Sequence, residues 1–136
     1  MAAAQGSPVD DPTIPDDEIL WRRIPPWHGV PDKGRGDRMV SSAAFDDTDG
    51  QPMSVVIASE AAGPDSALAG HDGYALAGFR AGVAREIGLA IRRDPTDEQP
   101  AHAVVVGKKT GSIQKKLRNS AHWVVQPPDW SDVHLP

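Results

Sequence analysis

The chain has no cysteine, so disulfides, thiolate metal sites and cysteine nucleophiles are excluded, and nothing implies an oxidising compartment. Aromatic residues are scarce: two Phe, one Tyr and four Trp among 136 residues. The core is therefore expected to be small and aliphatic, with Trp as occasional anchors. No apolar run approaches the roughly 20 residues of a membrane-crossing helix. The opening "MAAAQGSPVDDP" also lacks the basic and apolar parts of a secretion signal. The expectation is a cytoplasmic protein with no membrane partner. Finally, no acidic residue lies between Glu98 and Asp129, an interval that turns out to be basic.

What is present fits one domain, since 136 residues build a single modest core. The abundance of Ala and Gly, with nine Arg against five Lys, suggests a bacterial source with GC-rich DNA. The net charge of -5 is unevenly spread: residues 1–18 carry -5, the tail from Asp129 carries -2, and the middle is +2. Residues 1–17 are rich in Pro, Asp and Ala with only isolated apolar residues, so they are expected to be a disordered acidic arm. Residues 18–128 form the expected globular domain and 129–136 an extended tail.

Within the domain, "ILWRRI" is a strand candidate ending at Pro25-Pro26, followed by a Pro- and Gly-rich loop around Trp27. "SSAAF" is either a one-turn helix or a strand start. "DDTDG" is turn chemistry ahead of a β-branched strand at 53–58. A short helix is expected from Pro64 to Gly70. A longer one is expected in "ALAGFRAGVAREIG", residues 75–88, where Phe79, Val83 and Ile87 recur at four-residue spacing and Gly88 caps. Strands follow in "LAIRRDP", "AHAVVVG" and "HWVVQ", with a helix in "SIQKKLRNSA" whose Ile113 and Leu117 face inward. The expected fold class is α+β: a small domain of short, mostly antiparallel strands packed with two or three helices.

A strand that runs into a Gly-flanked turn and then a helix aims free backbone N–H groups at anions. "GKKTGS" supplies Lys108, Lys109, Thr110 and Ser112, the serine also a potential helix cap, and the helix adds Lys115, Lys116 and Arg118. These seven residues form the candidate anion site. The lysines precede the turn, so the pattern is not that of a nucleotide-binding P-loop, and as a solvated helix face it would do nothing specific. Trp27 and Trp130, in Pro-rich extended segments, are candidate partner-binding anchors. Trp21 and Trp123 sit on strands and are expected in the core. The five histidines show no metal-ligand spacing, so no metal or cofactor is expected.

The residues thus point first to a noncatalytic binding or accessory module of a bacterial multi-protein system. Its expected contact is a protein partner, nucleic acid or a phosphate-bearing ligand. The alternative is a small metal-independent enzyme acting on RNA or a nucleotide. A nuclease would use His102 and His122, which flank the lysines, as acid and base. Arg22 and Arg23 on the first strand, with Ser41 and Ser42 ahead of a later one, resemble the opening Arg and Ser-bearing strand of ADP-ribosyltransferase-like enzymes. The glutamate that the resemblance also requires has no clear counterpart, because Glu98 stands in a Pro-flanked loop.

Overall fold

The computed structural model describes residues 10–25, 29–31, 38–48, 50–125 and 133–134. Six strands, β1 (Ile19–Ile24), β4 (Met53–Ile57), β5 (Ala75–Arg80), β6 (Ala90–Arg93), β7 (His102–Val106) and β8 (His122–Val125), form one sheet in the order β6-β7-β4-β1-β5-β8. Every neighbouring pair in it is antiparallel. Helices α1 (Pro64–Leu68), α2 (Ala81–Glu86) and α3 (Gly111–Ser120) complete an α+β domain. A second, three-stranded sheet pairs β2 (Gly29–Pro31) antiparallel with β3 (Arg38–Val40), and β3 parallel with β9 (Val133–His134). Proline and glycine hide β2 and β3 from a sequence reading, which takes this stretch as loop.

The alternation along β1 sorts the two faces. Leu20 and Ile24 point into the main core with Phe45, Met53, Val55, Ile57, Phe79, Ile91, Val105 and Leu117. A 3-10 turn at Ser42–Phe45 packs there, as do α3, through Leu117, and α2, through Ala81 and Ala84. Trp21 points the other way, to a smaller cluster of Val56, Ala67, Leu76 and Ala101 under α1. Trp21 and Trp123 are both only partly buried, packing against a cluster rather than filling one.

The long helix expected over 75–88 is a strand followed by two helical turns. Ala75, Leu76, Ala77 and Phe79 are all fully buried, because β5 lies between β1 and β8 with both faces covered. Buried strands carry apolar residues at consecutive positions, so the period-two signal is absent and the four-residue recurrence of Phe79, Val83 and Ile87 imitates a helix. Gly88 does end the helical turn, at φ 90°.

Residues 10–17, expected in the disordered arm, are packed on the domain. The backbone N–H of Asp11 donates to Ile91 O at 2.8 Å and that of Ile91 donates to Asp10 Oδ1 at 3.0 Å, so the segment covers the outer edge of β6. Arg85 pairs with Asp10 and Asp16, and Arg93 with Asp11 and Glu60. Ile14 is 1% exposed and joins the main core. Composition missed this because one isoleucine and a set of arginine-bound aspartates anchor the segment without any hydrophobic run. Residues 1–9 lie outside the described residues.

Hydrogen bonds from the Thr13 side chain and backbone, then the Arg93 guanidinium, hold the Asp11 carboxyl below its ordinary value. A carboxyl depressed in the folded state adds stability above its unfolded value, and that stability is lost as pH falls through the folded value. Asp11→Asn should therefore lower the Tm at pH 7, with the gap from the parent protein closing below about pH 4. Calorimetric scans at pH 7 and pH 3 check this, and an equal gap at both contradicts it.

Candidate functional site

The sequence-predicted basic residues divide sharply. Lys109 is buried: its Nζ donates to Asp47 Oδ1 at 2.8 Å, Val105 O at 2.8 Å and Gly107 O at 2.7 Å, and its side chain is 0% exposed. All three ammonium hydrogens are spent inside the protein. Lys109 therefore fixes the turn after β7 and has none left for an external anion. Gly107 in that turn stands at φ 132°, and a Cβ there would lie 2.7 Å from Leu89 Cδ2, so only glycine fits. Thr110, not Ser112, caps α3, with Oγ1 accepting from the Ile113 N–H at 3.2 Å. Lys108, Ser112, Lys115 and Lys116 are exposed, and Arg118 is partly buried, donating to Asn119 Oδ1. All but Lys108, which stands in the preceding turn, lie on a helix that packs on the main-core face. Trp27 and Trp130 lie outside the described residues.

A second basic feature is built by β1, with Arg22 on the side of Leu20 and Ile24 and Arg23 on the opposite face with Trp21. Strands β1 and β4 pair only at Leu20↔Ile57 and Trp21↔Val56, although β1 continues to pair with β5 as far as Ile24↔Ala75. Beyond Trp21 the guanidinium of Arg22 does the bridging, donating to Ser54 O at 2.9 Å, Ala44 O at 2.9 Å and Asp46 O at 3.2 Å. All three acceptors are backbone carbonyls. Burial is the main force that pushes the Arg22 guanidinium down to about 10, repulsion from Arg23 adds to it, and Asp46 and Asp47 oppose it. It stays charged at neutral pH.

Arg23 alternates to the open face and makes no ion pair with a carboxylate among the described residues. Its Nη1 donates to His71 Nε2 at 2.9 Å. His71 Nδ1 faces the Ala69 carbonyl at 3.0 Å and must carry the proton, so the ring is neutral with Nε2 as acceptor. Tyr74 packs edge-on to this ring, centroids 5.1 Å apart. Burial lowers the Arg23 value, opposed by Tyr74. Arg22, Arg23, Pro25, Ala43, Thr48, Ser54, His71 and Tyr74 line a cleft of about 310 Å³. None of these is acidic.

Arg23 and His71 also form one wall of an adjoining cleft of about 250 Å³, whose other walls include Glu98 and His102. The loop bearing Glu98 is fixed: Gln99 donates its amide to Ser66 on α1 at 3.2 Å, and its N–H to Thr96 Oγ1 at 2.9 Å. His102 Nδ1 donates to Asp94 O at 2.7 Å, with Asp94 Oδ2 at 3.4 Å, so in the neutral tautomer Nε2 is the acceptor. Glu98 thus shares a cleft with Arg23. Ser41, however, is occupied in capping the Ser42–Phe45 turn. His102 and His122 sit on β7 and β8, four strand spacings or about 19 Å apart, too far to act as one acid–base pair. The His122 ring lies over Gly78 instead.

Among the described residues no three His, Asp or Glu side chains gather as a metal site, and no helix is long and apolar enough to cross a membrane. No family model, curated protein or solved structure matches the chain. Sequence reasoning placed the anion site on the basic segment 108–118, named Arg23 only through the ADP-ribosyltransferase-like resemblance, and did not pick out His71, Tyr74, Ser54 or Thr48. Those residues are contributed by three separate segments, and only the strand order brings them to Arg23.

Lys109→Met should destabilise the domain by roughly 2 to 3 kcal/mol, because it strands the Val105 and Gly107 carbonyls and removes the ion pair to Asp47. Lys115→Glu with Lys116→Glu should stay within about 0.5 kcal/mol of the parent. Urea unfolding midpoints measure both, and equal effects would contradict the division of the lysines.

Proposed function

We propose that the protein is a binding module that takes an anionic group against Arg23 on the open face of its sheet. One observation carries this reading: among the described residues, a half-buried guanidinium without a carboxylate partner lines a cleft with no acidic wall. Withdrawing a cation from water is costly unless an anion compensates it. An incoming oxyanion would supply that compensation to Arg23 and relieve its repulsion of Arg22. The Ser54 and Thr48 hydroxyls add donors to the same cleft. Arg suits the role because its planar fork meets two oxygens of a carboxylate or phosphate at once. On composition we place the protein in a bacterial cytoplasm as an accessory part of a multi-protein system, with the anion free in solution or borne by a protein partner.

The basic helix is the competing surface. Lys108, Lys115 and Lys116 are exposed, but they extend from the far side of the domain and enclose no cleft with Arg23. An enzymatic reading also has one observation in its favour: Glu98 and His102, two groups able to accept protons, share the cleft beside Arg23.

Binding of pyrophosphate and of a fluorescent single-stranded RNA, measured on the full chain at two salt concentrations, tests these readings. Arg23→Ala should weaken binding about tenfold or more, while Lys115→Glu with Lys116→Glu leaves it within about twofold of the parent. Loss through the lysine pair alone would move the site to α3. Chemical change of either probe on prolonged incubation would favour the enzyme.

A further inference from the structure

The two larger clefts that meet at Arg23 differ in chemistry, and the difference describes a ligand. The larger, about 310 Å³, offers a guanidinium and the Ser54 and Thr48 hydroxyls, with Pro25 and Ala43 as apolar wall. The smaller, about 250 Å³, offers acceptors: the exposed Glu98 carboxylate and His102 Nε2. Most of its other polar groups are already used. Gln99 Nε2 donates to Ser66 and Gln99 Oε1 accepts from the Ala101 N–H, while Thr96 Oγ1 accepts from the Gln99 N–H. His71 closes the boundary with both ring nitrogens engaged.

A site with a cation and hydroxyls at one end and a carboxylate with an imidazole acceptor at the other is complementary to a molecule that is anionic at one end and donor-rich at the other. We infer that the ligand is a phosphate ester whose organic part carries hydroxyl or amino donors, the phosphate seated against Arg23 and the donors against Glu98 and His102. This deepens the proposed function and rests on it. Inorganic phosphate would fill only the larger cleft. A plain carboxylate would leave Glu98 facing no donor, and a long polyanion would meet the Glu98 charge beyond Arg23. Hydroxyl or amino donors turn that carboxylate from a repulsive neighbour into a partner. The shared chemistry covers both sugar phosphates and nucleoside monophosphates.

Isothermal titration of the full chain with inorganic phosphate, ribose 5-phosphate, adenosine 5′-monophosphate and adenosine tests the inference. At least one ester should bind about tenfold or more tightly than phosphate, as one good charge-assisted hydrogen bond provides. Glu98→Gln should reduce that advantage and, because it removes a negative neighbour of the anion, should not weaken phosphate itself. Arg23→Gln should weaken phosphate and esters alike, with Arg23→Lys retaining part of the binding as evidence that the fold survives. An advantage for the nucleotide alone assigns the donors to the base; equal gain by both esters assigns them to the sugar.

Phosphate binding as tightly as both esters, or an ester advantage indifferent to Glu98→Gln, overturns this inference while the anion-binding reading stands. Adenosine binding as tightly as its monophosphate overturns the phosphate anchor. Failure of all the phosphate-bearing probes to bind overturns both readings together.

Discussion

The guanidinium of Arg22 is the contact on which the arrangement around the open face depends. The β1–β4 ladder ends after Trp21↔Val56, and Arg22 takes over by donating to carbonyls of β4 and of the Ser42–Asp46 turn. A cation held by neutral oxygens costs desolvation without full Coulombic return, and its lowered value of about 10 expresses that cost. What the fold gains is geometry. With the two strands bridged by a side chain, Ser54 and Arg23 open onto one cleft, where Arg23 stands beside a second positive charge.

Charge is sorted by surface. Arg85 and Arg93 are neutralised by the segment at 10–16 and by Glu60, and Lys109 by Asp47. These pairs close the β6 edge and the turn after β7, so they are structural. Arg23 has a neutral histidine instead. The local sequence gives no hint of this distinction, since arginines occur in adjacent pairs at 22–23 and 92–93 and lysines at 108–109 and 115–116. Strand alternation and chain-distant partners decide which member of the pairs at 22–23, 92–93 and 108–109 is held by the protein, while Lys115 and Lys116 are both exposed.

Legibility followed the range of the interactions. Strands β1, β4, β6, β7 and β8 and helices α1 and α3 were readable because their boundaries are set by local signals: Pro25 after β1, Asp-Gly before β4, Pro64 at the start of α1 and the Gly-flanked turn before α3. Strand β5 was not, because burial on both faces removes the alternation that marks a strand. The anchored 10–17 segment was hidden because its partners Ile91, Arg85 and Arg93 lie some 70 to 80 positions away. Of the candidate site, Arg22 and Arg23 stood out as a pair. The cleft did not, since His71, Tyr74 and Glu98 reach it only through the placement of α1, β5 and the loop before β7.

The central claim is that anions meet this protein at Arg23. Mapping amide chemical-shift changes in a ¹H–¹⁵N spectrum during titration with inorganic phosphate tests it most directly. The account predicts shifts concentrated at residues 21–24, 48, 54–56 and 71–74, with 108–118 nearly silent. Shifts confined to 108–118 would contradict it and return the site to the basic helix.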